Sequence, residues 1–180
     1  IYLVTQMSGQ IQVESQLGKG TTFTVELPFQ SAEQEEHPCG GTLDNPVSLE
    51  GKHILLAEDN AVNMEIATEF LTMNGMKVTQ AWDGQEAVEC FATSLPYTFD
   101  AILMDMQMPK LDGCTAARQI RALSRSDAAT VPIIAVTANA FAEDMAATTA
   151  AGMDAHISKP IDFAALCCTL GRLIGKSSKN

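Results

Sequence analysis

The chain has 180 residues, 46% of them hydrophobic, which is enough to bury the core of one ordinary domain and to leave additional segments. Its formal net charge of −11 argues against a nucleic-acid-binding surface, which would need clustered lysine and arginine. No apolar stretch reaches the roughly 18 residues of a membrane span, and no segment has the pattern of a signal peptide.

Residues 1–29 predict a small unit of their own. Apolar and polar residues alternate over 11–15 and again over 23–27, on either side of a glycine-containing turn at 18–20, which predicts a β-hairpin. The apolar residues within 1–7 indicate the end of a preceding helix. Because an isolated hairpin is only marginally stable in water, we expect this unit to need a partner that the sequence lacks.

Residues 30–50 have no hydrophobic periodicity and contain several glutamates, prolines and glycines, a composition typical of a linker. The first residue is Ile1 rather than methionine, and we therefore expect the chain to be a piece of a longer protein. The five cysteines include no CxxC pair, which favours reduced thiols in a cytosolic protein.

From Lys52 onward, strand and helix signals alternate. Short apolar runs predict five strands, at 53–57, 77–81, 101–105, 132–137 and 154–158. A helix is predicted after each strand: from Asn60 to Asn74, from Asp83, from Asp112, over 141–151 and from Phe163. Strands that alternate with helices in this way predict a doubly wound parallel α/β sheet with helices on both faces.

The apolar spacing also predicts which side of each helix faces the core. In the first helix, we expect the inward residues to be Val62, Ile66, Phe70 and Leu71. The corresponding residues of the later helices are Ala87, Val88 and Phe91, then Ala116, Ala117, Ile120 and Leu123, and finally Phe163, Leu166, Cys167, Leu170, Leu173 and Ile174.

Polar side chains stand where the predicted strands end. Asp105 ends the third strand, and Glu58 and Asp59 directly follow the first. Thr137 ends the fourth strand, and Lys159 follows the fifth. The C-terminal ends of parallel strands gather at one edge of an open sheet, where ligands bind. The sequence therefore predicts a single polar site at that edge.

Three carboxylates in one site cannot all stay ionised without a compensating charge. Mg²⁺ supplies that charge, prefers oxygen ligands and bridges to phosphate. We therefore predict a magnesium site formed by Glu58, Asp59 and Asp105, with the backbone carbonyl of Gln107 as an additional ligand.

The same side chains suit phosphoryl transfer, which needs little beyond positioning and charge stabilisation. Asp105 would be the nucleophile and would form an aspartyl phosphate. Lys159 would pair with Asp105 and then with a phosphoryl oxygen, and Thr137 would offer a hydroxyl donor. Each residue alone also has an ordinary explanation, such as a helix-start acid, a turn cap, a strand end or a surface lysine. Their combination at the ends of different strands is improbable by chance.

Four segments resemble the signature segments of response-regulator receiver domains. They are 55–60 (LLAEDN), 104–109 (MDMQMP), 135–140 (AVTANA) and 158–160 (SKP), and they follow one another at the family's spacing within residues 51–176. The resemblance implies a flavodoxin-like, five-stranded fold of the receiver type.

The resemblance also implies a role for each residue of the site. Asp105 would be the phosphoacceptor, and Glu58 and Asp59 would be the acid pair that holds Mg²⁺. Thr137 would be the switch hydroxyl, and Lys159 would contact the phosphoryl group.

Other positions gain a meaning from the same resemblance. Receivers often have an aromatic switch residue three positions before the lysine, and here that position is His156. His156 is either part of the switch or a histidine exposed at the sheet edge. Gln107 and Asn139 occupy the positions that flank the phosphoryl group in receivers, and neither is a strong base. The bond between Lys159 and Pro160 is expected to be cis.

Residues 1–29 resemble the final strands of a histidine-kinase ATP-binding domain, through segments such as 7–11 (MSGQI) and 18–23 (GKGTTF). A kinase tail, a linker at 30–50, a receiver at 51–176 and a short tail at 177–180 imply a fragment of a hybrid sensor histidine kinase. The sequence lacks glycine-rich nucleotide motifs and a phosphorylatable histidine in a dimerisation helix. We therefore expect this fragment not to bind ATP and to catalyse only its own phosphoryl transfer and dephosphorylation.

The implied function is one step of a phosphorelay in the cytoplasm. Phosphohistidine on the kinase core of the same protein would donate to Asp105, and a histidine phosphotransfer domain would be the next partner. We expect no contact of this fragment with nucleic acid or membrane, while anchoring of the parent protein in the inner or plasma membrane stays open.

Two alternatives stay open. A haloacid-dehalogenase-like phosphohydrolase also uses an aspartate nucleophile, Mg²⁺ and a lysine, but it carries a second aspartate two residues later, where Gln107 stands here. The other alternative is a receiver-like binding module that no longer accepts phosphate.

Overall fold

The computed structural model describes residues 9–26, 28, 48–138 and 142–177, without the side chains of 142–145 and of 176–177. The predicted helix end within 1–7 and most of the predicted linker lie outside the described residues. The chain divides into two compact units, Ile1–Gly41 and Thr42–Asn180, and each is described here by itself.

The first unit contains the predicted β-hairpin. Strands β1 (Gln10–Gln16) and β2 (Gly20–Glu26) pair in antiparallel register, with Val13 opposite Phe23. Gly18 lies in the connecting turn with a φ of 79°, a left-handed conformation that glycine adopts without steric cost. Val13 and Phe23 are exposed within this unit.

The second unit is the predicted doubly wound α/β fold. Its elements in chain order are β3 (His53–Ala57), α1 (Ala61–Met73), β4 (Lys77–Ala81), α2 (Gly84–Thr93), β5 (Ala101–Asp105), α3 (Gly113–Ala122), β6 (Ile133–Thr137), α4 (Ala142–Ala150), β7 (Ala155–Ser158) and α5 (Phe163–Ser177). The five strands are parallel and lie in the order β4-β3-β5-β6-β7. Two strands, β6 and β7, begin one residue later than predicted, and Phe141 of the predicted fourth helix lies outside the described residues.

A separate hydrophobic core lies on each face of this sheet. Alternate residues of the central strand β5 point to opposite faces, so Ile102 and Met104 join one core and Ala101 and Leu103 join the other. Helices α2 and α3 supply the first core, and helices α1 and α5 supply the second. The sheet is covered on both faces, as is typical of parallel sheets, and this explains why β5 reads as a continuous apolar run.

Three helices begin at the predicted N-caps. The Asn60 side chain accepts from the backbone N–H of Val62 at 3.0 Å, and Asp112 accepts from that of Thr115 at 2.9 Å. Asp83 accepts from the N–H of Glu86 at 2.8 Å. These caps satisfy amide groups that have no partner within the helix.

The predicted inward face of α1 is wrong in part. Val62 and Ile66 are 63% and 51% exposed, whereas Met64, Ala67 and Leu71 are buried. Helix α1 has apolar residues around most of its circumference, so the sequence periodicity does not single out the face that packs on the sheet.

The predicted faces of the other helices agree with the structure at their central positions. The residues that are buried include Ala87 and Phe91 in α2, Ala116 and Ile120 in α3, and Leu166, Leu170 and Ile174 in α5. None of the helices in the described part of the chain combines the length and the apolar character that a membrane span requires.

Candidate functional site

The sheet register brings the predicted site residues to one edge. Asp105, at the end of β5, pairs with Val136 of β6, and Thr137 pairs with Ser158 of β7. Glu58 directly follows β3, whose last residue is opposite Met104. The carboxyl ends of four strands therefore meet where the sequence places its polar side chains.

Lys159 joins two of the acids. Its Nζ atom donates to Asp105 Oδ2 and to Glu58 Oε2, each at 2.7 Å. Glu58 and Asp105 are buried, at 4% and 5% exposure, and Lys159 is half-buried. Sequence reasoning predicted the bond to Asp105 and missed the bond to Glu58.

Asp59 completes a cluster of three carboxylates. One oxygen atom from each of Glu58, Asp59 and Asp105 lies within 4.8 Å of the others. Asp59 is exposed, so solvent reaches the cluster at Asp59. Three carboxylate oxygens at this spacing, next to a single lysine, form a donor set that suits a hard divalent cation. The structure thus brings the predicted acids together in a group that can bind a metal ion.

The charges of the site depend on each other. Burial raises the pKa of Asp105, and the hydrogen bonds from Lys159 and from the Gln107 N–H oppose this rise only in part. For Lys159, burial disfavours the ammonium, but the hydrogen bonds to Asp105 and Glu58 outweigh burial and raise its pKa. The lysine therefore stays protonated, while burial makes the ionised form of Asp105 less favourable than it would be in water.

One asparagine side chain and one backbone amide hold the Glu58 carboxylate in place. The Nδ2 group of Asn63 donates to Glu58 Oε1 at 3.0 Å, and the N–H of Asn60 donates to the same oxygen at 3.3 Å. Sequence reasoning assigned Asn60 as the cap of α1 and missed Asn63. The spacing of Asn63, three residues after the cap, was the available signal, because it places the side chain over the helix start.

Gly113 is a second residue that sequence reasoning missed. A Cβ atom at this position would lie within 3.0 Å of the backbone carbonyl oxygen of Asp105, closer than real Cβ atoms come. The start of α3 therefore packs directly against the backbone of Asp105. The N–H of Gln107 donates to Asp105 Oδ1 at 3.2 Å, and the role of the Gln107 carbonyl as a metal ligand stays a prediction.

Thr137 and His156 are the remaining predicted switch residues, and the structure describes both. Thr137 is buried at the end of β6, and His156 is exposed on the edge strand β7. Asn139 lies outside the described residues. The Lys159–Pro160 peptide bond is cis, as expected.

A sequence profile described as the response regulator receiver domain matches residues 54–170. The chain belongs to the response regulator receiver domain family. Among curated relatives, the receiver-containing chain is 37% identical over 156 residues to histidine kinase 1 of Arabidopsis thaliana, covering 70% of this chain and 13% of that protein. It is also 37% identical over 167 residues to the autoinducer 2 sensor kinase/phosphatase LuxQ of Vibrio parahaemolyticus, covering 91% of this chain and 19% of that protein.

The chain thus spans about a fifth or less of the length of these curated relatives. The receiver domain here is of the kind found in the hybrid histidine kinases of two-component phosphorelays.

Solved structures agree with this membership. The receiver domain of a sensor histidine kinase from Pseudomonas aeruginosa, which has a magnesium ion coordinated in its active site cleft, is 42% identical with a TM-score of 0.63, covering 69% of this chain and 98% of that one. A second receiver domain, from Saccharomyces cerevisiae, was crystallised with a histidine phosphotransfer signalling protein. It is 29% identical with a TM-score of 0.58, covering 66% of this chain and 85% of that one.

Proposed function

We propose that this receiver domain accepts a phosphoryl group from phosphohistidine onto Asp105, with Mg²⁺ bound by Glu58, Asp59 and Asp105 and by the Gln107 carbonyl. The observation that carries the proposal is the position of Lys159, 2.7 Å from both Asp105 and Glu58 within the carboxylate cluster. The magnesium ion in the related Pseudomonas receiver supports the choice of metal.

In the proposed reaction, a carboxylate oxygen of Asp105 attacks the phosphorus atom of phosphohistidine. The new O–P bond forms as the P–N bond breaks, and the histidine nitrogen keeps the electron pair of that bond. Bound Mg²⁺ supplies positive charge next to the phosphoryl oxygens. Lys159 stays protonated, so it can hold Asp105 before transfer and turn its hydrogen bond to a phosphoryl oxygen afterwards.

The new dianion would then act on the residues at the end of β6 and β7. The buried hydroxyl of Thr137 is positioned one strand away from Asp105 and would donate to a phosphoryl oxygen. His156 is exposed on β7, and we propose it as the second member of the switch.

A histidine phosphotransfer domain is the proposed next partner. Val62 and Ile66 expose apolar side chains on α1, the helix that follows Glu58 and Asp59. A pocket of about 180 Å³ between Ile66, Lys159 and Phe163 continues this surface to the phosphoryl-contacting lysine. The yeast receiver crystallised with a histidine phosphotransfer protein supports this kind of partner.

We further propose the domain organisation given by the sequence. Residues 1–29 are the end of a kinase ATP-binding domain, 30–50 are a linker, 51–176 are the receiver and 177–180 are a tail. The similarity to histidine kinases supports the kinase core of the same protein as phosphoryl donor. We propose that this transfer takes place in the cytoplasm.

The test is labelling by a small phosphodonor in the presence of Mg²⁺, followed by intact-protein mass spectrometry. Wild-type protein should gain one phosphoryl group that hydroxylamine removes, and Asp105→Asn should gain none. Asp100→Asn is the matched control, because Asp100 immediately precedes β5, at the other end of the strand that Asp105 completes. Stoichiometric labelling of the Asp105 variant would refute the assignment.

The same material separates the two alternatives. A phosphohydrolase would turn over a phosphate ester continuously instead of stopping at one equivalent. A module that only binds would show no saturable change in Trp82 fluorescence on titration with beryllofluoride and Mg²⁺.

A further inference from the structure

The loop between β5 and α3, residues 106–112, forms an ion pair that has no part in the proposed reaction. Lys110 Nζ donates to Asp83 Oδ2 at 2.5 Å. The side chain of Lys110 is 72% exposed, whereas that of Asp83 is only 6% exposed. Because Asp83 is the N-cap of α2, this ion pair joins the loop to the start of that helix.

The backbones are in close contact at the same junction. A Cβ atom on Gly84 would lie within 3.0 Å of the carbonyl oxygen of Leu111, so the helix and the loop meet without an intervening side chain. Lys110 has a φ of 61°, a left-handed conformation that is uncommon for a residue with a Cβ atom. Such conformations persist where surrounding contacts determine them, and the ion pair to Asp83 is such a contact.

The start of this loop and the first residue after it both contact Asp105. At one end, the Gln107 N–H donates to Asp105 Oδ1 at 3.2 Å. At the other end, the Gly113 N–H donates to the Met106 carbonyl at 3.2 Å, and Gly113 packs on the backbone of Asp105. Lys110 lies midway between Gln107 and Gly113 in the sequence. A displacement of the loop at Lys110 therefore reaches Asp105 at two points, the carboxylate through Gln107 and the backbone through Gly113.

We propose that the Lys110–Asp83 pair, the loop clamp, is a positioning pair that fixes the β5–α3 loop and thereby the orientation in which Asp105 meets Mg²⁺ and the phosphoryl donor. Its effect on phosphorylation rests on the proposed function of Asp105, whereas its effect on the loop does not. Lys110 and Asp83 bond to each other, whereas Lys159 is the residue that bonds to the carboxylate cluster.

The charges of the pair support this role. The hydrogen bond from Lys110 lowers the pKa of Asp83, together with the backbone N–H of Glu86, so the carboxylate is ionised at neutral pH. Removal of the lysine would leave a buried carboxylate with backbone amides as its donors, and the loop would lose its only side-chain hydrogen bond to the start of α2 among the described residues.

The test compares Lys110→Met and Asp83→Ser with wild type. Serine retains an N-cap oxygen, so the Asp83 variant keeps the cap of α2 while it loses the partner of Lys110. Lys52→Met is the matched control, because it removes the 2.9 Å ion pair between Lys52 and Asp100 at the opposite end of β5. Lys110→Arg restores a cation that can reach Asp83.

Three quantities are measured on folded protein well below its melting temperature. They are hydrogen exchange of the Gln107 amide in metal-free protein by NMR, Mg²⁺ affinity from the fluorescence of Trp82, and the rate of labelling by a small phosphodonor. Both clamp variants should accelerate amide exchange, weaken Mg²⁺ binding and slow labelling, each by about three- to tenfold. The Asp83→Ser/Lys110→Met double variant should be no worse than the more affected single variant, and Lys110→Arg should recover most of the loss.

Exchange and Mg²⁺ affinity equal to wild type in both clamp variants would overturn the proposal. So would equal changes in Lys52→Met, or effects of the two clamp substitutions that simply add. Failure of wild-type protein to become labelled would refute the proposed function instead, since exchange and metal affinity would still decide the clamp.

Discussion

At the scale of single residues, Asp105 is a buried carboxylate whose charge is balanced by one lysine that it shares with Glu58. Burial raises its pKa above the unfolded value, so the folded protein holds this proton more tightly than the unfolded chain does. The stability linked to the protonated form is present at low pH and is lost as the pH rises through the folded pKa. At neutral pH, the ionised Asp105 side chain therefore opposes folding.

Asp105→Asn should consequently raise the melting temperature of metal-free protein at pH 7, by roughly 2–4 °C. Lys159 keeps Glu58 as its partner in this variant. Calorimetry in EDTA measures the effect. Mg²⁺ at a hundred times its Kd should stabilise wild type by about 2.7 kcal/mol and the variant by much less, which reverses the order. A variant that melts below wild type in EDTA would contradict this account of the site.

At the scale of secondary-structure elements, α3 packs against the backbone of Asp105 through Gly113, whereas Gly171 of α5 makes no such close contact. Gly113→Ala should cost about 1–3 kcal/mol, because its Cβ meets the Asp105 carbonyl oxygen and overpacks the junction. Gly171→Ala is the matched control within α5, where a Cβ meets nothing within 4 Å, and it should gain about 0.5–1 kcal/mol from helix propensity. Urea unfolding of both variants measures the contrast. Equal effects of the two substitutions would show that α3 does not depend on this close approach.

These same elements show how far the sequence predicts the structure. The sequence locates strand β5 correctly, because a strand that is buried on both faces is a continuous apolar run, and here Asp105 ends that run. The inward face of α1 was predicted wrongly at Val62 and Ile66, since apolar residues surround that helix and only packing selects a face. The bond between Glu58 and Lys159 joins residues 101 positions apart, and no local pattern encodes such a pair.

At the scale of the whole receiver unit, the residues at the C-terminal ends of the strands form the site, and those at the opposite ends stabilise the fold. The carboxylates meet at the C-terminal edge, while Arg125 and Asp127 connect the loops at the opposite edge. The guanidinium of Arg125 pairs with both oxygens of Asp127, at 2.6 and 2.8 Å, and donates to the carbonyls of Ser94 and Leu95 at 3.0 Å. It also lies 4.2 Å from the ring centroid of Phe91. This network therefore stabilises the fold at a distance from the site.

Arg125→Met should lower the free energy of unfolding by about 2 kcal/mol, between the values typical of surface and of buried ion pairs. The hydrogen bond from Arg125 lowers the pKa of Asp127 in wild type, so this stability is present above the unfolded pKa and is lost as the pH falls through the folded one. Urea unfolding between pH 3 and 7 should show wild type losing stability below about pH 4, and the variant losing less over the same range. Because the network lies at the far edge of the sheet, labelling of Asp105 in the folded variant should proceed at the wild-type rate. An unchanged acid dependence would mean that Asp127 gains its low pKa from other donors, and a slower labelling rate would mean that the two edges are coupled.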